Sequence, residues 1–113
     1  MNNFKEIIDK ILEFRNQRNW KQFHNPKDLA INLNIESSEL LELFLWKNGD
    51  EINKKVNVDE LKDEIADVLY SAFLLVDHYD LDIGEIILNK LKKNELKYPV
   101  EKSRNSSKKH DEF

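Results

Sequence analysis

The sequence predicts an all-α protein, and three features of its composition and patterning support this class. The 113 residues include only two Gly and two Pro, the residue types that interrupt helices and form turns. Leu, Ile, Lys and Glu are frequent, and apolar residues recur at intervals of three and four along most of the chain. We therefore expect one domain of the four-helix bundle type over residues 1–100, followed by a polar, flexible tail over 101–113.

Composition and charge also exclude several classes of protein. No Cys is present, which excludes a disulfide framework and a thiolate metal site. The net charge of −4 disfavours a nucleic-acid polymer as partner. The first residues lack the apolar core of a signal peptide, and no apolar run approaches the roughly 18 residues that span a membrane. We expect a cytoplasmic protein without a membrane partner.

Helical spacing of apolar residues predicts a first helix over residues 3–18. The connector that follows, 19–25, carries Trp20, Phe23 and His24. Its aromatic residues alternate with polar groups. Two interpretations remain open, a hydrophobic plug at the end of the bundle and a surface that contacts a ligand.

The second helix is predicted to begin with Asn25 as N-cap and Pro26 at the first helical position, and to run to about Trp46. Its apolar side is formed by four leucines at helical spacing: Leu29, Leu33, Leu40 and Leu43. Glu36 falls in the middle of this side and Glu39 at its edge. A buried, uncompensated carboxylate costs several kcal/mol or more, so Glu36 needs a Lys or Arg partner, a raised pKa or a metal ion.

The same pattern returns one helix later. Residues 47–57 are polar and predict a loop or short helical turn, and helical periodicity resumes at Val58. Glu64 lies on the apolar side of this third helix, with Asp67 beside it. Residues three apart lie on one side of a helix, so two packed helices of this kind would bring four carboxylates together. Four carboxylates repel each other unless a cation lies between them.

A fourth helix is predicted over about 82–96 and ends at Tyr98-Pro99. We expect it to bury its apolar residues, which are Leu81, Ile83, Ile86, Ile87, Leu88 and Leu91. Lys90, Asn94 and Lys97 form one polar stripe. This stripe is either a solvated face or a set of phosphate contacts.

These residues together predict a class of chemistry. Carboxylates without His or Cys form a hard, oxygen-only site that suits Mg²⁺ or Mn²⁺. Such an ion activates water and neutralises charge on a phosphoryl group. Trp20 and Trp46 offer faces on which a nucleobase can stack. Residue chemistry alone therefore predicts a metal-dependent hydrolase of nucleotide phosphate esters or anhydrides.

The order and spacing of these motifs resemble the MazG-like nucleotide pyrophosphohydrolases, and more narrowly the branch that includes dCTP pyrophosphatase. The resemblance covers residues 14–99. It is carried by Trp20-x-x-Phe23-His24-x-Pro26, Glu36-x-x-Glu39, Glu64-x-x-Asp67 and Lys90-x-x-x-Asn94-x-x-Lys97-Tyr98-Pro99.

The resemblance implies an all-α protein that forms a dimer or a dimer of dimers. The implied reaction uses Mg²⁺ and cleaves a nucleoside triphosphate between the α and β phosphates, giving a monophosphate and pyrophosphate in nucleotide-pool house-cleaning. By position, Glu36, Glu39, Glu64 and Asp67 match the metal ligands and catalytic carboxylates. The implied substrate-binding residues are Trp20, His24, Lys27, Trp46, Lys90, Asn94, Lys97 and Tyr98.

The chain departs from the pattern in places. The branch often carries Tyr four residues after the helical Asp, where this chain has Ser71, with Tyr70 one position early. The residue before Glu36 is Ile35, so the doubled Glu of other relatives is missing. Two alternatives to an enzyme remain, a non-catalytic bundle that binds a nucleotide or partner, and a structural dimer whose acidic residues pair with Lys and Arg across the interface.

Overall fold

The computed structural model describes residues 3–108, which form helices and no strand. The elements in chain order are α1 (Phe4–Gln17), a 3-10 helix (Trp20–Phe23), α2 (Pro26–Glu42), α3 (Glu51–Lys55), α4 (Val58–His78), α5 (Ile83–Lys97) and α6 (Val100–Ser103). The chain divides into two compact units, Met1–Asp80 and Leu81–Phe113. The all-α prediction is confirmed.

Four helices begin at a side chain that accepts a hydrogen bond from the first turn. Asn25 accepts from the Asp28 amide at 2.9 Å, and Pro26 stands at the start of α2, as the sequence predicts. The same arrangement is formed by Asn3, Asn57 and Asp82 at the starts of α1, α4 and α5. Each cap satisfies a backbone N–H that would otherwise lack a partner, which fixes where the helix begins.

In the first unit, α2 packs along α4, and α1 packs against α4 and the 3-10 helix. Leu29 of α2 and Leu74 of α4 are the most buried apolar side chains here, at 2% and 4% exposure. On another face of α4, Tyr70 lies edge-on to Phe14 of α1 with ring centroids 6.1 Å apart. The helix α4 therefore has one face on α2 and another on α1.

The second helix ends earlier than predicted. Regular helix stops at Glu42, and turns continue to Trp46, which has a φ of 63°. The Lys47 ammonium donates to the Leu43 carbonyl at 2.7 Å, so a free carbonyl at the helix end has a partner without another helical turn. The polar stretch after Lys47 contains the short helix α3, which agrees with the predicted loop or short turn.

Two expectations for the C-terminal part have different outcomes. The predicted burial of the apolar residues of the fourth helix is wrong for most of them, because Ile86, Ile87, Leu88 and Leu91 are 38–61% exposed, and only Ile83 is buried, at 5%. The predicted tail begins within α6, and its last residues, 109–113, lie outside the described residues. Over residues 3–108, no helix is both long and apolar enough to cross a membrane.

Candidate metal centre

Three of the four predicted carboxylates meet between α2 and α4. Glu36 projects from α2, while Glu64 and Asp67 project from α4, and one oxygen atom from each lies within 4.8 Å of the others. The two α4 residues share a side of the helix because they are three apart. Oxygen atoms at this separation are close enough to bind one cation.

Burial makes this arrangement costly when the carboxylates are charged. Glu36 and Glu64 are half-buried, whereas Asp67 is exposed. The Oε2 atoms of Glu36 and Glu64 are buried and have no hydrogen-bond partner. Buried polar atoms in native proteins nearly always have a partner, so these two oxygens require either a proton or a ligand.

The pKa values of the buried carboxylates show the same cost of holding negative charge in this cluster. Burial raises the pKa of Glu36 from 4.5 to about 7, with further contributions from hydrogen bonding to Glu39 and from the negative charges of Glu39, Asp67 and Glu64. Burial also raises the pKa of Glu64, assisted by the charges of Glu39 and Asp67. Glu39 is exposed and lies outside the tight group of three, but its charge acts on both buried carboxylates.

A pairing of the cluster with basic residues was one alternative from the sequence. Between residues 3 and 108, the ion pairs are Arg15 with Asp77 and Lys55 with Glu51. Neither pair includes a residue of the cluster, so no Lys or Arg neutralises it there. An oxygen-only donor set with two unpartnered oxygens fits a hard divalent cation such as Mg²⁺ or Mn²⁺.

The two tryptophans differ in their surroundings. Trp20 is 42% exposed and lies edge-on to Phe14, with ring centroids 5.7 Å apart. Trp46 is 95% exposed, and its left-handed backbone conformation is unfavourable for a non-glycine residue. The Trp46 indole buries almost no surface within this chain, so both faces of its ring are available to a nucleobase or another molecule.

His24 and Lys27 follow the 3-10 helix. His24 is half-buried and lines a cavity together with Arg15, and Lys27 is exposed in the first turn of α2. The same cavity reaches Leu29 of α2 and Leu74 of α4. At about 1.5 Å per residue, it lies roughly 10–15 Å along these helices from the acidic cluster.

The remaining predicted contacts lie in the unit Leu81–Phe113. Lys90 and Lys97 are exposed on α5, whereas Asn94 and Tyr98 are half-buried near its end. The Asn94 carbonyl accepts a hydrogen bond from the Tyr98 amide at 2.8 Å. Their part in substrate binding remains a prediction.

Tyr70 and Ser71 lie on different faces of α4. Tyr70 packs on Phe14 of α1, and burial raises the pKa of its hydroxyl. Ser71 is 5% exposed and stands one helical turn after Asp67, on the same side of α4. The serine, not the tyrosine, therefore continues the face of α4 that carries the carboxylates.

Sequence reasoning missed the buried Arg15 and its ion pair with Asp77. Arg15 stands in the last turn of α1, where basic residues are common, and it is 6% exposed. Its spacing from Leu12 and Ile8 on the apolar side of α1 is a signal that could have identified it. The partner in α4 could not be found without knowing how α1 crosses α4.

Comparison with known proteins places this architecture in a family. The sequence matches the MazG-like family over residues 31–113. It is 34% identical to dCTP pyrophosphatase 1 of Mus musculus and 35% identical to that of Homo sapiens, in each case over an alignment 105 residues long that covers 89% of this chain. The chain spans 62% of the length of these relatives.

A solved structure is similar over nearly its whole length. A pyrophosphatase from Archaeoglobus fulgidus superposes with a TM-score of 0.81 and 37% sequence identity, over 88% of this chain and 94% of the other. Identity of this extent, together with the family match and the shared helical architecture, leads to one conclusion: this chain belongs to the MazG-like family.

Proposed function

We propose that this protein is a Mg²⁺-dependent nucleoside triphosphate pyrophosphohydrolase, which cleaves between the α and β phosphates and releases pyrophosphate. One observation carries the proposal: oxygen atoms of Glu36, Glu64 and Asp67 lie within 4.8 Å of one another, and two of these residues have a buried oxygen without a partner. The names of the similar proteins, dCTP pyrophosphatase 1 and pyrophosphatase, support the choice of reaction.

In this proposal each carboxylate of the cluster has a role. Glu36, Glu64 and Asp67 bind Mg²⁺, with Mn²⁺ as a substitute, through oxygen atoms. Glu39 is the fourth carboxylate, close enough to Glu36 to hydrogen-bond with it, and it orients Glu36 and holds or accepts a proton beside the ion. When bound, the ion supplies an activated water and neutralises phosphate charge.

The nucleotide itself is proposed to extend away from the cluster. Trp20 and Trp46 are the candidates for stacking on the base, because both indoles are exposed. His24, Lys27, Lys90, Asn94, Lys97 and Tyr98 are the further proposed contacts to phosphate or sugar. Those roles rest on sequence position.

We also propose that a second copy of this chain covers an apolar stripe on α4. Val58, Ile65 and Leu69 recur at seven and four residues, on the side of the helix opposite Asp67. They are 57%, 41% and 49% exposed, an unusual degree of exposure for three large apolar residues on one helix face. Sedimentation equilibrium should give a dimer or tetramer, and Leu69→Glu should shift it towards the monomer. A wild-type monomer at high concentration would refute this assignment.

The reaction is tested with a panel of canonical and modified nucleoside triphosphates, measured for pyrophosphate and orthophosphate separately. We expect Mg²⁺-dependent pyrophosphate release from at least one substrate, and Glu39→Gln should lose turnover with an unchanged circular dichroism spectrum. Orthophosphate as the primary product would contradict the proposed bond cleavage. Wild-type protein that binds triphosphate and Mg²⁺ but releases nothing over hours would instead be a non-catalytic nucleotide-binding bundle.

A further inference from the structure

The cavity lined by Arg15 and His24 lies in the first unit, apart from the acidic cluster. Its volume is about 510 Å³, within the range of small-molecule sites. Leu12, Leu29 and Leu74 form its apolar floor, at the end where α1 and the 3-10 helix meet the end of α4. An apolar floor with a few converging polar groups is the usual composition of a ligand site.

Arg15 is the cation of this cavity, and its hydrogen-bonding capacity is largely unused. The residue is 6% exposed. Its Nε donates to the Asn16 side chain at 3.1 Å, and its Nη1 lies 3.7 Å from Asp77 Oδ2, beyond hydrogen-bonding distance. A guanidinium has five N–H groups, and among residues 3–108 only the Nε group has a protein acceptor within hydrogen-bonding distance. Neither Nη atom is both fully buried and unpartnered, so these groups reach open space in which a ligand oxygen can accept from them.

Two further polar groups line the same cavity. The Nδ1 atom of His24 is buried without a hydrogen-bond partner, and Lys21 contributes an exposed ammonium from the 3-10 helix. Burial lowers the pKa of His24, and the positive charge of Arg15 lowers it further. The Arg15 charge therefore acts on His24 even though Asp77 lies beside the guanidinium.

The cavity is also lined by acidic residues. Asp77 and Asp80 contribute carboxylates, with His78 between them in sequence, at the end of α4 and just beyond it, and Asp77 lies beside Arg15. The cavity thus contains both cationic groups and hydrogen-bond acceptors. A bare anion would meet the carboxylates, whereas a molecule that carries an anionic group together with hydroxyl or amino donors would complement both kinds of group.

We propose that this cavity is a second binding site, which takes a phosphate monoester whose remaining part carries hydroxyl or amino groups, as a nucleoside monophosphate does. Arg15 and Lys21 bind the phosphate, because Arg in particular matches phosphate oxygens with two parallel N–H groups. Asp77 and Asp80 accept from the donors of the sugar or base, and the leucine floor contacts the apolar faces. The site lies apart from the acidic cluster, shares only His24 with the proposed substrate contacts, and does not require a metal ion.

The test uses the full chain in buffer with EDTA, where the acidic cluster repels a nucleotide. Deoxycytidine 5′-monophosphate is titrated by calorimetry, and the imidazole resonances of His24 and His78 are followed by NMR. We expect one molecule bound per chain, with shifts of both imidazoles. Deoxycytidine and inorganic phosphate should each bind at least about tenfold more weakly, since each makes only one set of charge-assisted contacts.

Variants identify the site independently of catalysis. Arg15→Met should weaken monophosphate binding by about tenfold or more, and Lys21→Glu by several-fold. Lys10→Met on the same helix and Glu64→Gln in the acidic cluster should bind as the wild type does. If Arg15→Met does not fold, the monophosphate affinity of Lys21→Glu, an exposed substitution, still tests whether the ligand binds in this cavity.

Three results would overturn the proposal. The first is that the monophosphate does not bind in EDTA. The second is that Glu64→Gln abolishes binding of the monophosphate while Lys21→Glu leaves it intact. The third is that inorganic phosphate binds as tightly as the monophosphate does. The second would move the ligand to the acidic cluster, and the third would reduce the cavity to a simple anion site. None of these outcomes depends on pyrophosphate release. The second binding site can therefore be refuted without refuting the proposed reaction, and the reaction can be refuted without refuting the binding site.

Discussion

Replacing Glu36 by Gln should stabilise the metal-free protein at neutral pH, although it removes a proposed ligand. The pKa of Glu36 is raised from 4.5 to about 7 in the native state. Between these two pH values the Glu36 carboxyl therefore keeps its proton in the native state and loses it in the unfolded chain. Between these values the native state binds more protons than the unfolded state, and the free energy of unfolding falls as pH rises. The contribution of Glu36 is therefore most favourable below about pH 4.5 and fully lost above about pH 7.

The magnitude follows from the same two values. The gap between 4.5 and about 7 sets an upper bound of about 3 kcal/mol. Because Glu36 is half-buried and solvent screens its neighbours, we expect about 1 kcal/mol in practice. For a chain of this size that corresponds to a rise in Tm of about 4 °C. Gln has the shape of protonated Glu, so Glu36→Gln should show this gain at pH 8 and no gain at pH 4.5.

The assay is thermal unfolding in EDTA at both pH values, followed by the same measurement with Mg²⁺. Added Mg²⁺ should stabilise the wild type by about 2.7 kcal/mol at a hundredfold excess over Kd, and should stabilise Glu36→Gln much less. Glu95→Gln, an exposed substitution on α5, is the matched control and should change neither curve. A Glu36→Gln variant that is less stable than the wild type in EDTA at pH 8 would refute the assignment of repulsion to this cluster.

Three further substitutions separate ligand binding from folding. Glu64→Gln should reduce Mg²⁺ affinity and pyrophosphate release by about a hundredfold or more without loss of helicity, and normal turnover would exclude Glu64 from the site. Trp46→Ala should change the free energy of unfolding by less than about 0.5 kcal/mol, because the indole is 95% exposed. The same substitution should raise KM about fivefold or more if a base stacks on the indole. An unchanged KM argues against stacking. Asp77→Asn should cost about 1–3 kcal/mol in urea unfolding, since it leaves the buried Arg15 charge without its counter-ion, and an unchanged midpoint would mean that solvent already neutralises Arg15.

The acidic cluster could be predicted from sequence because two local rules were sufficient. Helical periodicity assigned Glu36 and Glu64 to apolar faces, and the cost of burying charge required those faces to meet around a cation. The structure brings Glu36, Glu64 and Asp67 together across α2 and α4. The helix starts were equally local, because Asn25 and Pro26 act within their own turn.

Features that depend on how helices cross were not predictable. The Arg15–Asp77 pair joins residues 62 positions apart in α1 and α4, and periodicity along one helix contains no information on the angle between two. The early end of α2 was missed for a related reason, since Lys47 reaches back to the Leu43 carbonyl where the sequence pattern continues through Phe44. Burial of α5 was overestimated because apolar spacing identifies a face without identifying what covers it.

The exposed faces and the acidic cluster have a common physical basis. The helix α4 carries apolar residues towards α2 at Leu74, aromatic contacts towards α1 at Tyr70, and an exposed stripe at Ile65 and Leu69. A helix with apolar residues on three sides is typical of the centre of an assembly. Carboxylates placed on such a helix are desolvated by their surroundings, which raises the pKa values of Glu36 and Glu64, so a divalent ion that binds there must displace protons and its affinity should rise with pH. Because the exposed stripe lies on the side of α4 opposite Asp67, Leu69→Glu should weaken oligomerisation and leave the Mg²⁺ affinity of the cluster unchanged; a parallel loss of Mg²⁺ affinity would show that the interface between copies reaches the carboxylates.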